Sequence, residues 1–334
     1  MSTAPLPLSD PALEAALVDG LAEIERRLAV AVERTSVLQD EPSRHLLAAG
    51  GKRMRPALAL LAAQLGSGTQ EAVLEAAVGV ELTHLASLYH DDVMDSAPTR
   101  RGAPSAHEVW GNSVAILTGD LLFARASQTV AGLGPEAVLI QAETFERLCV
   151  GQLHEILGPG PQDDPVQHHL GVLAGKTGSL IAASAHFGAL LSGLQGEQLH
   201  AVVEYGERVG IAFQLADDVL DLTASADVLG KTPGTDLREG VPTMPILLLR
   251  QWKAEGRLDE SGLGLVAALD GDLSDAAVLD GVVVQLREHP VMEAAREMAR
   301  SWSRDAVAQL EVLPNSPART ALQEFADLVV ERLA

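Results

Sequence analysis

The chain has 334 residues, with 24 basic against 46 acidic side chains for a formal net charge of −22, and 47% of it is hydrophobic with few aromatics. That balance argues against a general nucleic-acid binder and against electrostatic docking on an anionic membrane. A single cysteine, Cys149, excludes an intrachain disulfide and a paired-cysteine metal site, and it fits a reducing compartment. The first residues, "MSTAPLPLSDPALEAAL", lack a basic segment followed by an apolar one, so no signal peptide and a cytoplasmic location are expected.

Alanine and leucine dominate, which favours helices. Helical spacing starts over residues 11–38. A basic run, "GGKRMRP", follows and places Lys52, Arg53 and Arg55 just before Pro56, a residue suited to a first helical turn. Cations at a helix start oppose the macrodipole, and an anionic partner would remove the conflict. Residues 70–95 form the next amphipathic stretch and end in "LYHDDVMDSAPTRRG". There Asp91 and Asp95 share one helix face at a spacing where like charges repel, at a helix end that disfavours carboxylates.

Helical spacing continues over 112–132, 135–157 and 176–194. Ser179–Leu194 is the longest weakly polar stretch, but it is short for a membrane span and contains His186, so a buried helix is expected. Residues 197–224 close on "FQLADDVLDL", which repeats the acidic pattern at Asp217, Asp218 and Asp221. Two further helical stretches cover 290–312 and 316–333, with Pro- or Gly-marked breaks at 66–68, 97–104, 158–165 and 229–242. The Gly- and Asp-rich region 255–275 is expected to be a loose surface connection between helices. No alternating run is bounded by hairpin signals, and no repeat is evident, so the fold class is all-α.

Only four of the 24 basic residues are lysines, and three of them, Lys52, Lys176 and Lys231, sit beside glycine in "GGKRMRP", "GKTG" and "GKTPG". Glycine admits close backbone approach, and lysine meets phosphate as a compact point charge. None of the three fits a Walker A loop, and neither acidic motif has the EF-hand pattern. Two locally unfavourable carboxylate clusters point instead to Mg²⁺, which binds through a few carboxylates together with substrate phosphates. A metal-and-cation clamp stabilises a diphosphate as a leaving group.

These pieces, together with "ELTHLASLYHDDVMDSAPTRRGAPSAHEVWGNSVAILTGDLLFARA", "GKTGSLIAASA", "FQLADDVLDL" and "GKTPGTDLREGVPTMPILLL", resemble the trans-isoprenyl diphosphate synthases, or polyprenyl synthetases. They occur in the family's order and cover nearly the whole chain from about residue 10. The resemblance implies one polyprenyl synthetase domain over 1–334, a bundle of long helices around a central cavity (the isoprenoid synthase fold), and a homodimer. It implies that Asp91 and Asp95, with Asp217 opposite, ligate three Mg²⁺ on an allylic diphosphate, backed by Asp92, Asp218 and Asp221, the last two themselves counted as metal ligands. Arg100, Lys176 and Lys231 would grip that diphosphate. Lys52, Arg55, His84 and Arg101, with the neighbouring Arg53, would take isopentenyl diphosphate. Thr177 and Gln214 would line the reacting centre.

The implied reaction is ionisation, head-to-tail condensation and proton loss, with transient membrane contact at product release and no integral membrane segment. Two departures from the family pattern are Val241, where a lysine is frequent, and His169, where a tyrosine is frequent. On the helix before Asp91, Ser87, Ala86 and Thr83 are small where short-chain members tend to carry bulky aromatics, so a long product of roughly seven to ten isoprene units is expected; each turn of that helix descends roughly 5.4 Å. Geranylgeranyl or farnesyl diphosphate synthesis is the alternative, and a non-catalytic partner subunit is the alternative from another class.

Overall fold

The structure is a computed structural model that describes residues 6–33, 37–223, 234–238 and 240–331. It is all-α apart from one two-stranded ribbon. The chain forms two compact units, each built from separate stretches of sequence. The first contains Met1–Arg147, Ser179–Glu207 and Val307–Phe325; the second contains Leu148–Gly178, Arg208–Ala306 and Ala326–Ala334.

In the first unit, α1 (Pro11–Val32) starts on Asp10, whose carboxylate accepts from the amides of Ala12 and Leu13, with Pro11 at the first helical position. The helical stretch expected over 11–38 is instead divided between two helices: α1 ends at Val32, capped by Glu33, and α2 spans Val37–Ala48. The basic run leads into α3 (Met54–Ala63), and α4 (Glu71–Met94) follows. A ribbon of β1 (Thr99–Arg100) and β2 (Ala103–Pro104), α5 (Ala106–Trp110) and α6 (Asn112–Ala131) come next, then the start of α7 (Pro135–Leu157).

Helix α4 is the spine of this unit, packed by α3, α6 and α9 (Ser179–Leu191). Two glycines permit the close α4–α6 crossing, since a Cβ on Gly79 would meet the Val130 side chain and one on Gly119 would meet the His90 ring. Tyr89, fully buried, donates its hydroxyl to the carbonyl of Pro42 and receives the Leu46 amide, which ties α4 to α2. Helix α4 is the one described helix long and apolar enough to cross a membrane. However, 72% of its most apolar window is buried, as suits a core helix. The weakly polar stretch after residue 179 is likewise a buried helix, α9, as its sequence suggests.

The second unit takes in the end of α7, α8 (Pro165–Leu173), the later part of α10 (Gly196–Thr223), α11 (Thr235–Arg238), α12 (Met244–Ala254), α13 (Glu260–Leu269), α14 (Ala276–Glu288) and α15 (Val291–Gln309) as far as Ala306. Its core joins Leu215, Val219 and Leu222 of α10 to Leu248 of α12, Val266 of α13 and Leu286 of α14. Region 255–275 is not the loose connection expected from its composition. Asp259 and Asp275 cap α13 and α14 by accepting backbone amides, so residues that resemble loop chemistry in sequence are helix starts. The last helix, α16, spans Pro317–Glu331.

Candidate active site

The acidic end of α4 is one part of the site. Asp91 and Asp92 lie in its last turn, and Asp95 caps it. Asp92 is 1% exposed, and its Oδ1 accepts the Arg100 Nε at 2.6 Å. Its Oδ2 is buried and has no hydrogen-bond partner among the described residues. Asp91 is half-buried and Asp95 exposed, so these two carboxylates border solvent.

A basic loop is the second part, in the same unit. Gly50 has φ +83°, and Arg53, the residue before α3, is held at φ +50° and ψ +36°, a left-handed conformation uncommon outside glycine. A Cβ on Gly51 would lie 2.8 Å from Arg53 Nη1 and 3.0 Å from Arg101 Nη1, so both guanidiniums fold over a backbone that only glycine leaves open. Arg101 donates to the carbonyls of Leu46, at 3.2 Å, and Gly50. It occupies the first position of the two-residue ribbon turn, with φ +54°, followed by Gly102 at φ +79°.

Arg53 does not face outward with its neighbours. It is 4% exposed, its Nη1 donates to Glu81 at 2.9 Å, and its Nε and Nη2 reach Glu25. Burial opposes its charge, yet Glu25 and Glu81 outweigh that and keep it above its ordinary value. Arg55 is pulled down to about 10 by burial, against the support of Glu81. It stays charged at neutral pH, and its Nε is buried without a hydrogen-bond partner among the described residues. Burial first, and then Arg55, Arg101, Arg53 and Arg100, hold His84 well below the usual imidazole range. The ring is therefore neutral at neutral pH. Arg55, Arg101 and His84 thus lie within electrostatic reach of one another, an arrangement that favours an anion, and Lys52 of the same loop is exposed.

In the second unit, α10 ends in the other acidic motif. Asp217 is half-buried. Asp218 accepts His169 Nε2 and the Met244 amide, both at 2.8 Å, through Oδ2. The departure at position 169 therefore holds a carboxylate in place. Asp221 is buried, its carbonyl takes the Gly234 amide at 2.8 Å, and its carboxylate lies 3.4 Å from the Asp236 amide. Gln214, one turn before Asp217, is half-buried. Lys176 and Thr177 lie on a single π-helical turn, Ala174–Gly178, wound between α8 and α9. Such turns carry an extra residue and recur at functional sites. The α7 backbone approaches it closely, since a Cβ on Gly151 would sit 2.6 Å from the Lys176 nitrogen. Lys176 pairs with Glu155, and Thr177 is buried. Val241 is partly exposed on the surface, and Lys231 lies outside the described residues.

The donors at both helix ends are all oxygens, the set a hard divalent cation takes. Among the described residues no three His, Cys, Asp or Glu side chains converge as a closed metal cage. An open pair of carboxylates suits Mg²⁺, which keeps waters and substrate oxygens in its shell.

The small residues upstream of Asp91 fall in two places. Ala86 and Ser87 are buried; the Ala86 carbonyl faces Gly119 of α6, and the Ser87 hydroxyl bonds to the His84 carbonyl. Thr83 instead lines a narrow apolar crevice of about 10 Å³ with Val80, Val130, Leu180, Ala183 and Phe187. Sequence reasoning missed Glu25, Glu81 and Glu155. A signal existed for Glu81, a lone charge in the apolar run "AAVGVELTHLAS", three residues before His84 and so on the same helix face.

The fold and this residue set define a polyprenyl synthetase: that family's signature matches residues 37–261, and the chain belongs to the family. It is a prenyltransferase that makes polyprenyl diphosphates. It is 42% identical over 329 residues to the nonaprenyl diphosphate synthase of Mycobacterium tuberculosis, covering 97% of this chain and 96% of that one. Component 2 of heptaprenyl diphosphate synthase from Geobacillus stearothermophilus is 36% identical, over 95% of this chain and 97% of its own. Among solved structures, geranylgeranyl pyrophosphate synthase from Corynebacterium glutamicum, complexed with calcium and isoprenyl diphosphate, superposes with a TM-score of 0.86. It is 38% identical and covers 98% of this chain and 99% of its own.

Proposed function

We propose that the chain condenses isopentenyl diphosphate head to tail onto an allylic diphosphate in the presence of Mg²⁺, to an all-trans product of roughly seven to ten isoprene units; the small residues along α4 above the Thr83 crevice bear on length, at roughly 1.5 Å of helix per residue. The observation that carries the reaction is the presence in one unit of two carboxylates at the solvent-facing end of α4, Asp91 and Asp95, and of a basic loop whose Arg55 has an unmatched buried donor.

Asp91, Asp95 and Asp217 are the carboxylates offered to Mg²⁺, up to three ions in all, with Asp92, Asp218 and Asp221 holding their helix ends in shape. When bound, Mg²⁺ neutralises diphosphate charge and so eases its departure. Lys52, Arg55, Arg101 and His84 hold the isopentenyl diphosphate anion, while Arg100, Lys176 and Lys231 answer the allylic diphosphate. Thr177 and Gln214 present oxygens towards the developing positive charge. The apolar interior around Thr83 takes the growing tail, and Val80, Leu180 and Phe187 must shift to admit it. Leu117 of α6 and Leu139 of α7, both in the first unit, are each more than half exposed, which supports a homodimer that covers apolar surface there.

The test is purified protein with farnesyl diphosphate, labelled isopentenyl diphosphate and Mg²⁺, with the products sized. Elongation to seven or more units is expected. Failure to elongate any of several allylic primers overturns the reaction, and a product stopping at three or four units overturns only the length. Sedimentation showing a monomer at assay concentration overturns the dimer.

A further inference from the structure

The arginine in the middle of "GGKRMRP" is placed unlike its neighbours. Its three donor nitrogens are directed to two carboxylates from two helices, Glu25 on α1 and Glu81 on α4. Glu81 is 2% exposed and is buried among cations, being the attractive charge felt by Arg53, Arg55 and Arg101. Arg53 is also where the chain bends through a left-handed residue to start α3, which places Lys52 on one side of the bend and Arg55 on the other. A planar guanidinium with fixed forks suits the joining of two carboxylates in a set geometry, which an ammonium cannot reproduce.

We propose that Arg53 is a positioning residue, not a phosphate ligand: with Glu25 and Glu81 it forms a clamp from α1 through the loop to α4 that aims Lys52, Arg55 and His84 at the isopentenyl diphosphate anion. The proposal rests on the assignment of that anion to the basic loop. Glu81 adds a second effect. It supplies a buried negative charge that helps Arg53, Arg55 and Arg101 remain charged and close together before substrate arrives. The clamp lies wholly on the isopentenyl side, so its loss should weaken that substrate and leave the other alone.

Steady-state kinetics of the full chain separate the two roles. Glu25 is partly exposed, so Glu25→Gln should fold. If Arg53 bound phosphate, neutralising Glu25 would release a cation to the substrate and lower the KM for isopentenyl diphosphate. If Arg53 is a strut, that KM rises. We expect a rise of about threefold for Glu25→Gln and about tenfold or more for Glu81→Gln, with kcat and the KM for farnesyl diphosphate within about twofold, the pattern of lost ground-state binding of one substrate. Arg53→Lys should behave like Glu81→Gln, although a point charge would satisfy a phosphate.

A lowered or unchanged KM in Glu25→Gln overturns the proposal. So does a rise in both KM values together, which would mark general loss of structure. If Glu81→Gln or Arg53→Lys does not fold, the direction of change in Glu25→Gln still decides. Wild-type protein that fails to turn over isopentenyl diphosphate sinks the proposed reaction instead, before any variant is compared.

Discussion

The two acidic motifs have the same spacing but are held in different ways. At the end of α4 the middle aspartate, Asp92, is buried against Arg100, and the flanking Asp91 and Asp95 both reach solvent. At the end of α10 the middle aspartate, Asp218, is held by a histidine and a backbone amide, and Asp221 is buried against the 234–236 segment, so Asp217 is the more accessible carboxylate. The first motif thus offers two carboxylates to a ligand and the second one, although their sequences suggest equal shares. In both, the second aspartate of the DD pair serves as an anchor. A motif's spacing fixes which face its side chains share; the surrounding protein decides which of them remain available.

The sharpest way to break this comparison is to remove one accessible carboxylate from each motif. Asp91→Asn and Asp217→Asn should each lower kcat by about a thousandfold or more, on the scale of lost metal and electrostatic stabilisation. Chelation of Mg²⁺ should abolish wild-type turnover in the same assay. Activity that survives either substitution would show that the motif concerned does not serve the metal.

The anchors should behave in the opposite sense. Asp92→Asn and Asp218→Asn remove a buried charge from its partners and should each cost about 1–3 kcal/mol in urea unfolding. An unchanged midpoint for Asp218→Asn would mean that His169 and Met244 hold nothing in place.

A smaller effect distinguishes the helices that carry the motifs. The crevice at Thr83 is lined by α4, α6, α7 and α9, and no α10 side chain lines it. Thr83→Phe should therefore shorten the product while condensation continues, and an unchanged product length would place the tail elsewhere. Thr83 is a better probe than Ala86, whose carbonyl faces Gly119 at the close α4–α6 crossing, where a larger side chain would threaten the fold.

The smallest effect is one of pH. His84, on the first motif's helix, is held below its unfolded value near 6.5. Stability from the neutral ring is complete above that pH and is lost as pH falls towards the folded value, because the unfolded chain then binds the extra proton. Melting of wild type should fall between pH 7 and 5 more steeply than that of His84→Gln. Parallel curves would show that His84 is not the group responsible.

Much of this was legible in the sequence because helical periodicity and carboxylate spacing are local properties. The helix ends at Asp91–Asp95 and Asp217–Asp221 fall where the pattern places them. What stayed hidden depends on partners distant in sequence. Nothing near Arg53 says that its guanidinium turns inward to Glu81, 28 residues on. The helices capped by Asp259 and Asp275 were obscured because caps and loops use the same residues. The π turn at Ala174–Gly178 has no periodic signature, and the ribbon at Thr99–Pro104 is too short for alternation to show.

That ribbon also allows two roles of one residue to be varied separately. Its two-residue turn has both central residues left-handed, a type that ordinarily takes Asn-Gly, and here Arg101 stands where asparagine would be at ease. Arg101→Asn should relax the backbone and remove the cation, while Arg101→Lys should keep the cation and the strain. Arg100 and Arg101 are consecutive, their Cα atoms about 3.8 Å apart, and they grip opposite elements: the buried aspartate of α4 and the carbonyls that end α2. The turn therefore acts as a gauge block, and the separation between the acidic helix end and the basic loop inherits the short tolerance of a single peptide unit.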